Sequence, residues 1–241
     1  MKIPVELRLK LMDIKTRYEE QITNIMNFTE SVFNLINNKR KEVYEKSRLE
    51  LDSEDTEDIE NFRNLQRSID RINDQTWQYM NMLAVNLIVL FEAFNKDFFL
   101  ELYLYNPEML KNKDKTLNYD KILDYKSIKD IIHQFAREKI DKFGRESIDW
   151  LKNQIKISFK LNITNDFSDW KCLRDFYYIR NDIVHNQSIM PERLDENLNP
   201  IDEDRKKYSL DLNSLKKYSN TIINYLNYIH KNIVYSEKNE S

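Results

Sequence analysis

The stretch Leu7-Arg8-Leu9-Lys10-Leu11-Met12-Asp13-Ile14-Lys15-Thr16-Arg17-Tyr18-Glu19-Glu20-Gln21-Ile22 returns an apolar side chain every three or four residues, at Leu7, Leu11, Ile14, Tyr18 and Ile22. That spacing gathers them on one face of an α-helix and leaves charged residues on the other, whereas a strand would need strict alternation. Ile25, Phe28, Val32, Leu35 and Val43 continue the series, which predicts a long helix over residues 5–49 whose seam packs on a partner helix. An acidic break follows at Leu51-Asp52-Ser53-Glu54-Asp55-Thr56-Glu57-Asp58, where Ser53, Asp55 or Thr56 can cap the next helix. Ile59, Phe62, Leu65, Ile69 and Ile72 then resume the pattern, and Trp77, Met80, Leu83, Leu87, Leu90 and Phe94 carry it to about Tyr105. Asn106-Pro107 closes that element, so the first half reads as a helical hairpin that packs within the chain or against another copy.

Composition extends this reading to the whole chain. One glycine and four prolines in 241 residues leave almost no turn chemistry for β-hairpins, and none for glycine-rich phosphate loops. Charged residues at 33% and hydrophobic ones at 41% suit amphipathic helices with solvated outer faces, so the expected class is all-α. Residues 108–125 are mixed and lysine-rich. Ser127 or Asp124 starts a helix through Ile131, Phe135 and Ile140 that ends near Gly144. Another helix is expected from about Glu146 to Phe159, a polar exposed loop over 190–208, and a last helix from about Leu212 to Val234.

Several function classes drop out. The net charge is −3 and the sequence pI about 5.8, so any nucleic-acid contact must come from a local patch rather than a basic surface. The candidate patches are Lys111-Asn112-Lys113-Asp114-Lys115, Arg137 with Lys139 and Lys142, and Arg205-Lys206-Lys207. Each also reads as a solvated helix face or loop. The single cysteine, Cys172, excludes a disulfide framework and reads as a small core residue in a reducing, cytoplasmic setting. His133, His185 and His230 lack metal-ligand spacing, and no cofactor motif is present. The N-terminus has no signal-peptide core, and the longest apolar run, Met82 to Phe94, is too short for a membrane span.

Chemistry concentrates in Phe176-Tyr177-Tyr178-Ile179-Arg180-Asn181-Asp182-Ile183-Val184-His185-Asn186-Gln187. Phe167 to Phe176 leads into it with helical spacing, capped by Ser168 or Asp166, so the segment falls on the last turns of a helix. There Asn181 and His185 share a face, and Arg180 continues the stripe of Leu173, Tyr177 and Val184 at the edge of an apolar surface. A guanidinium neutralises phosphate charge, and an imidazole can move a proton near neutral pH. The same residues admit a structural account, in which the arginine pairs with a buried carboxylate and the histidine stabilises a helix C-terminus.

Arg-Asn-(three residues)-His-Asn after a hydrophobic helix resembles the signature of the HEPN superfamily of helical ribonucleases. A second matching piece is the apolar run Met82 to Phe94, where Glu92 resembles the acidic residue that family members carry close to the arginine. The resemblance covers about residues 75–235. It implies a HEPN-like helical bundle over residues 75–241, with residues 1–74 as an N-terminal helical extension. It also implies a metal-independent endoribonuclease of the toxin or antiviral-defence type, needing no cofactor. Under it, His185 is general base or acid at the ribose 2′-hydroxyl or the leaving 5′-oxygen, and Arg180 stabilises the charged phosphorane. Asn181 orients His185 or the phosphate, and Glu92 holds Arg180 through a hydrogen bond. Single-stranded or loop RNA is the implied substrate, with a homodimer supplying a second histidine and an antitoxin or sensor protein as a further partner. Two other classes fit the same residues: a non-catalytic helical module that binds protein or RNA, and a coiled-coil adaptor built on residues 5–49.

Overall fold

The computed structural model describes residues 3–50, 56–111, 119–185 and 210–235, and no strand occurs among them. The helices are α1 (Val5–Glu50), α2 (Thr56–Tyr105), α3 (Tyr119–Leu123), α4 (Ile128–Asp141), α5 (Ile148–Phe159), α6 (Ile163–Asp166), α7 (Trp170–His185) and α8 (Leu212–Val234). Two 3₁₀ turns, Pro107–Leu110 and Lys142–Gly144, precede α3 and follow α4. The all-α class expected from composition is the one found. The loop at 190–208, with Arg205-Lys206-Lys207, lies outside the described residues, as do Lys113, Lys115 and residues 51–55 of the acidic break.

These elements group into two compact units. The first comprises Met1–Gln21, Ile88–Tyr177 and Asn220–Ser241, and the second Ile22–Leu87 and Tyr178–Ser219. Both units are discontinuous because α1, α2, α7 and α8 each contribute a segment to both. The division expected between residues 74 and 75 falls inside α2, within the second unit.

In the first unit the start of α1 runs antiparallel to the end of α2. Lys10 pairs with Glu101 at 2.7 Å and Arg17 with Asp97 at 2.6 Å, so numbers rise on one helix as they fall on the other. The hairpin is therefore made within the chain over this segment. Such exposed pairs contribute no more than about 1 kcal/mol each, and burial contributes far more. Phe91, Phe94, Phe98, Phe99 and Tyr103 of α2 are all excluded from solvent. Phe91 packs on Tyr225 of α8 at 5.0 Å between ring centroids. The Tyr225 hydroxyl donates to Asn95 Oδ1 at 2.6 Å, while Asn95 Nδ2 donates to the Phe91 carbonyl at 2.7 Å. Burial pushes the Tyr225 phenol well above its ordinary range, so it stays a neutral donor.

The shorter helices follow local chemistry. Ser127 caps α4 by accepting from the Asp130 amide at 3.2 Å, and Ser147 caps α5 by accepting from the Trp150 amide at 3.2 Å. Gly144 closes the turn after α4 without a positive φ. Its missing side chain matters for room: a Cβ there would sit 2.7 Å from Lys96 Nζ and 3.6 Å from Glu92 Oε2.

In the second unit the α1 seam departs from the expected one. Ile22, Met26, Thr29 and Val43 are buried, whereas Phe28 is 64% and Leu35 68% exposed. Reading Ile22, Ile25, Phe28, Val32 and Leu35 as one stripe takes too many three-residue steps, and such a stripe precesses off the face a helix presents to its neighbours. The seam instead passes through Met26 and Thr29. Thr29 is concealed as a polar residue at a seam position because its hydroxyl is satisfied locally, donating to the Ile25 carbonyl at 2.7 Å. Lys216 near the start of α8 pairs with Glu30 at 2.9 Å.

Candidate functional site

Helix α7 begins one residue later than the sequence suggests. The Asp169 carbonyl accepts the first helical bond from the Leu173 amide at 3.0 Å, so Asp169 takes the capping position expected of Ser168 or Asp166. Asn224 Nδ2 donates to the Asp169 carboxylate at 2.9 Å, which ties this end of α7 to α8 in the first unit. Trp170, Leu173, Phe176 and Tyr177 bury one face of the helix, and the Tyr177 hydroxyl donates to the Glu146 carbonyl at 3.3 Å. Cys172 lies half-buried nearby, taking a hydrogen bond from the Thr221 hydroxyl at 3.5 Å.

The last turns of α7 belong to the second unit and carry Arg180, Asn181 and His185. Arg180 and Asn181 are half-buried, and His185, the final helical residue, is exposed. Arg180 Nη1 donates to Asn181 Oδ1 at 2.9 Å. Arg180 Nε is buried and has no hydrogen-bond partner among the described residues. The asparagine oxygen is turned to the guanidinium. Val184, expected on the apolar stripe, is 49% exposed because α7 has by then run past the packed face.

Glu92 lies on α2 in the first unit and is half-buried, with Oε1 shielded from solvent and Oε2 beside Gly144 and Lys96. Asn86, the other polar residue of that apolar run, is exposed.

Asn95 and His230, both buried in the first unit, were not placed in its core by the sequence reading. Asn95 is fully buried against Tyr225, as described above. His230 of α8 is 6% exposed and its Nε2 has no hydrogen-bond partner among the described residues. Burial holds its imidazole below the ordinary histidine range; Lys15 adds to this and Glu19 opposes it. Lys15 itself bridges Glu19 at 2.9 Å and Asn227 Oδ1 at 3.0 Å. The available signal was position: residue 230 falls on the stripe of Leu226 and Ile233.

Among the described residues no cluster of three or more His, Cys, Asp or Glu side chains is placed to hold a metal ion, and no helix is long and apolar enough to cross a membrane. Compared with known proteins, the chain matches no family model, no curated protein and no solved structure.

Proposed function

We propose that this protein is an endoribonuclease whose reaction centre is Arg180, Asn181 and His185. The observation that carries the reading is the state of Arg180. Its guanidinium is braced by Asn181 at 2.9 Å, retains a buried Nε with no partner among the described residues, and sits five residues before an exposed histidine. Orphaned buried donors are rare, and a guanidinium with unspent hydrogen bonds suits a phosphate oxygen. The HEPN resemblance of the Arg-Asn-(three residues)-His pattern points the same way.

In this reading His185 removes the proton of a ribose 2′-hydroxyl, and the freed oxygen attacks the adjacent phosphorus. Arg180 stabilises the negative charge that builds on the phosphoryl oxygens, as a preorganised cation does for an oxyanion. The P–O5′ bond breaks, the 5′-oxygen takes a proton from a second imidazolium, and a 2′,3′-cyclic phosphate remains. One His185 per chain supplies one proton-transfer group, so a second copy of the chain contributes the other. The nucleophile belongs to the substrate, so the chemistry is confined to RNA, and unstacked single-stranded or loop nucleotides reach the in-line geometry most readily. A toxin or antiviral-defence role, with an antitoxin or sensor as partner, follows from the resemblance.

The discriminating experiment uses an RNA oligonucleotide carrying one 2′-deoxyribose at the cleaved position, with EDTA present. Cleavage of the all-ribose strand and none of the deoxy strand is the expected result. Cutting of both strands would defeat the mechanism. Absence of cutting in either favours the second reading, a non-catalytic binding module, to which the net charge of −3 lends support.

A further inference from the structure

A cleft of about 900 Å³ opens in the first unit between α4, α5 and the Pro107–Leu110 turn. Lys111, Lys139, Lys142 and Lys160 line it, against only two carboxylates, Glu108 and Glu138. In a chain of net charge −3 this is a concentrated reversal of sign. It unites Lys111 of one basic stretch with Lys139 and Lys142 of another, which the sequence separates by a run of mixed residues.

The charges are largely uncompensated. Glu108 pairs with Lys111 at 2.8 Å, and Gln134 donates to Glu138 at 3.0 Å. Lys139 is half-buried, donates to the Met109 carbonyl at 3.0 Å and lies 4.6 Å from the Tyr103 ring centroid. No carboxylate among the described residues pairs with it, and desolvation pulls its ammonium below the ordinary lysine range. Lys142 and Lys160 form no ion pair among the described residues. Lys160 ends α5 in the left-handed region at φ 57°, where a β-carbon is strained and glycine is preferred.

The rest of the wall decides the ligand. Trp150, Phe135 and Met109 give it apolar surface, and Ile157 stands 74% exposed at its edge. The lining contains no arginine and no glycine, so it lacks both the bidentate fork and the backbone cradle that phosphate sites use. Point charges spaced around apolar wall match separated carboxylates flanked by apolar side chains. We propose that this cleft docks an acidic peptide segment of a partner protein, with apolar residues at its ends; the sequence Leu51-Asp52-Ser53-Glu54-Asp55-Thr56-Glu57-Asp58-Ile59-Glu60 has that chemistry and serves as a probe. Arg180 and His185 belong to the other unit, and the proposal stands whether or not RNA is cleaved.

The test is titration of the full chain with a synthetic peptide of residues 51–60, beside the same peptide with every Asp and Glu changed to Asn and Gln. The expected result is a dissociation constant below about 0.1 mM for the acidic peptide, weakening with added salt, and no measurable binding of the neutral one. The variant Lys142→Gln/Lys160→Gly should bind at least about tenfold more weakly, since each lost charged hydrogen bond is worth about that factor. Lys160→Gly alone relieves a strained φ, so its melting temperature should rise while its affinity falls. That opposite movement rules out misfolding as the cause. Equal binding by the double variant, no binding of the acidic peptide up to about 1 mM, or tighter binding of tripolyphosphate or a ten-nucleotide RNA at these lysines overturns the proposal.

Discussion

Arg180 brings together one braced nitrogen, one buried nitrogen with no partner among the described residues, and a histidine five positions on, so single substitutions there separate charge from geometry. Replacing His185 or Arg180 by Ala should each lower the initial rate of RNA cleavage by about two orders of magnitude or more, because acid–base and charge-stabilising groups contribute on that scale. Arg180→Lys keeps the charge but loses the planar fork that meets Asn181, so it should recover only a small part of the rate. Circular dichroism should show all three variants folded, since His185 is exposed and Arg180 lies at the edge of the packed face. A fully active Arg180→Lys would mean that charge alone suffices and that the bracing by Asn181 is incidental. The Arg180–Asn181 pairing was not legible in the sequence, which turns Asn181 toward His185 and Arg180 toward Glu92, because adjacent residues on a helix point in different directions. Nor was the Asn95–Tyr225 bond, because an asparagine at the end of an apolar run does not announce a partner 130 residues away. His230 was hidden for the same reason: its environment is set by Lys15 and Glu19, which arrive from the other end of the chain.

At the level of elements, α1 shows what periodicity can and cannot fix. The existence, type and approximate ends of the long helices follow from apolar spacing, the acidic break and Asn106-Pro107, and α1 and α2 fall where those signals put them. The face is harder to assign, because residues one turn apart are all apolar over Ile22 to Leu35 and only packing selects among them. Leu11, with no exposure, and Leu35, 68% exposed, are chemically identical and differ only in this respect. Leu11→Ala should therefore cost about 2–5 kcal/mol through lost burial and the cavity left behind. Leu35→Ala should stay within about 0.5 kcal/mol, as surface substitutions do. Urea denaturation of the two variants measures both values. Comparable losses would mean that the face carrying Leu35 is covered in solution.

For the whole molecule, two solution properties follow. His230 is held below the ordinary histidine value of 6.5, so the folded state favours its neutral form. Above that pH neither folded nor unfolded chain binds the proton, and stability is unaffected. As pH falls below 6.5 the unfolded chain takes the proton first, so this group's contribution declines until the lowered folded value is passed. Denaturation midpoints between about pH 7.5 and 5.5 should fall for the native chain, and His230→Gln should remove that part of the slope. The second property is assembly. If a single histidine per chain must serve both as base and, from a partner copy, as acid, activity belongs to the dimer. Light scattering at micromolar concentration should then report two chains, and specific activity should drop on dilution. Excess His185→Ala protein added to a fixed amount of native chain should suppress cleavage, because mixed dimers hold only one imidazole. Additive, unsuppressed activity in that mixture would show that each chain cleaves alone, and the proton for the 5′-oxygen would have to come from water rather than from a second His185.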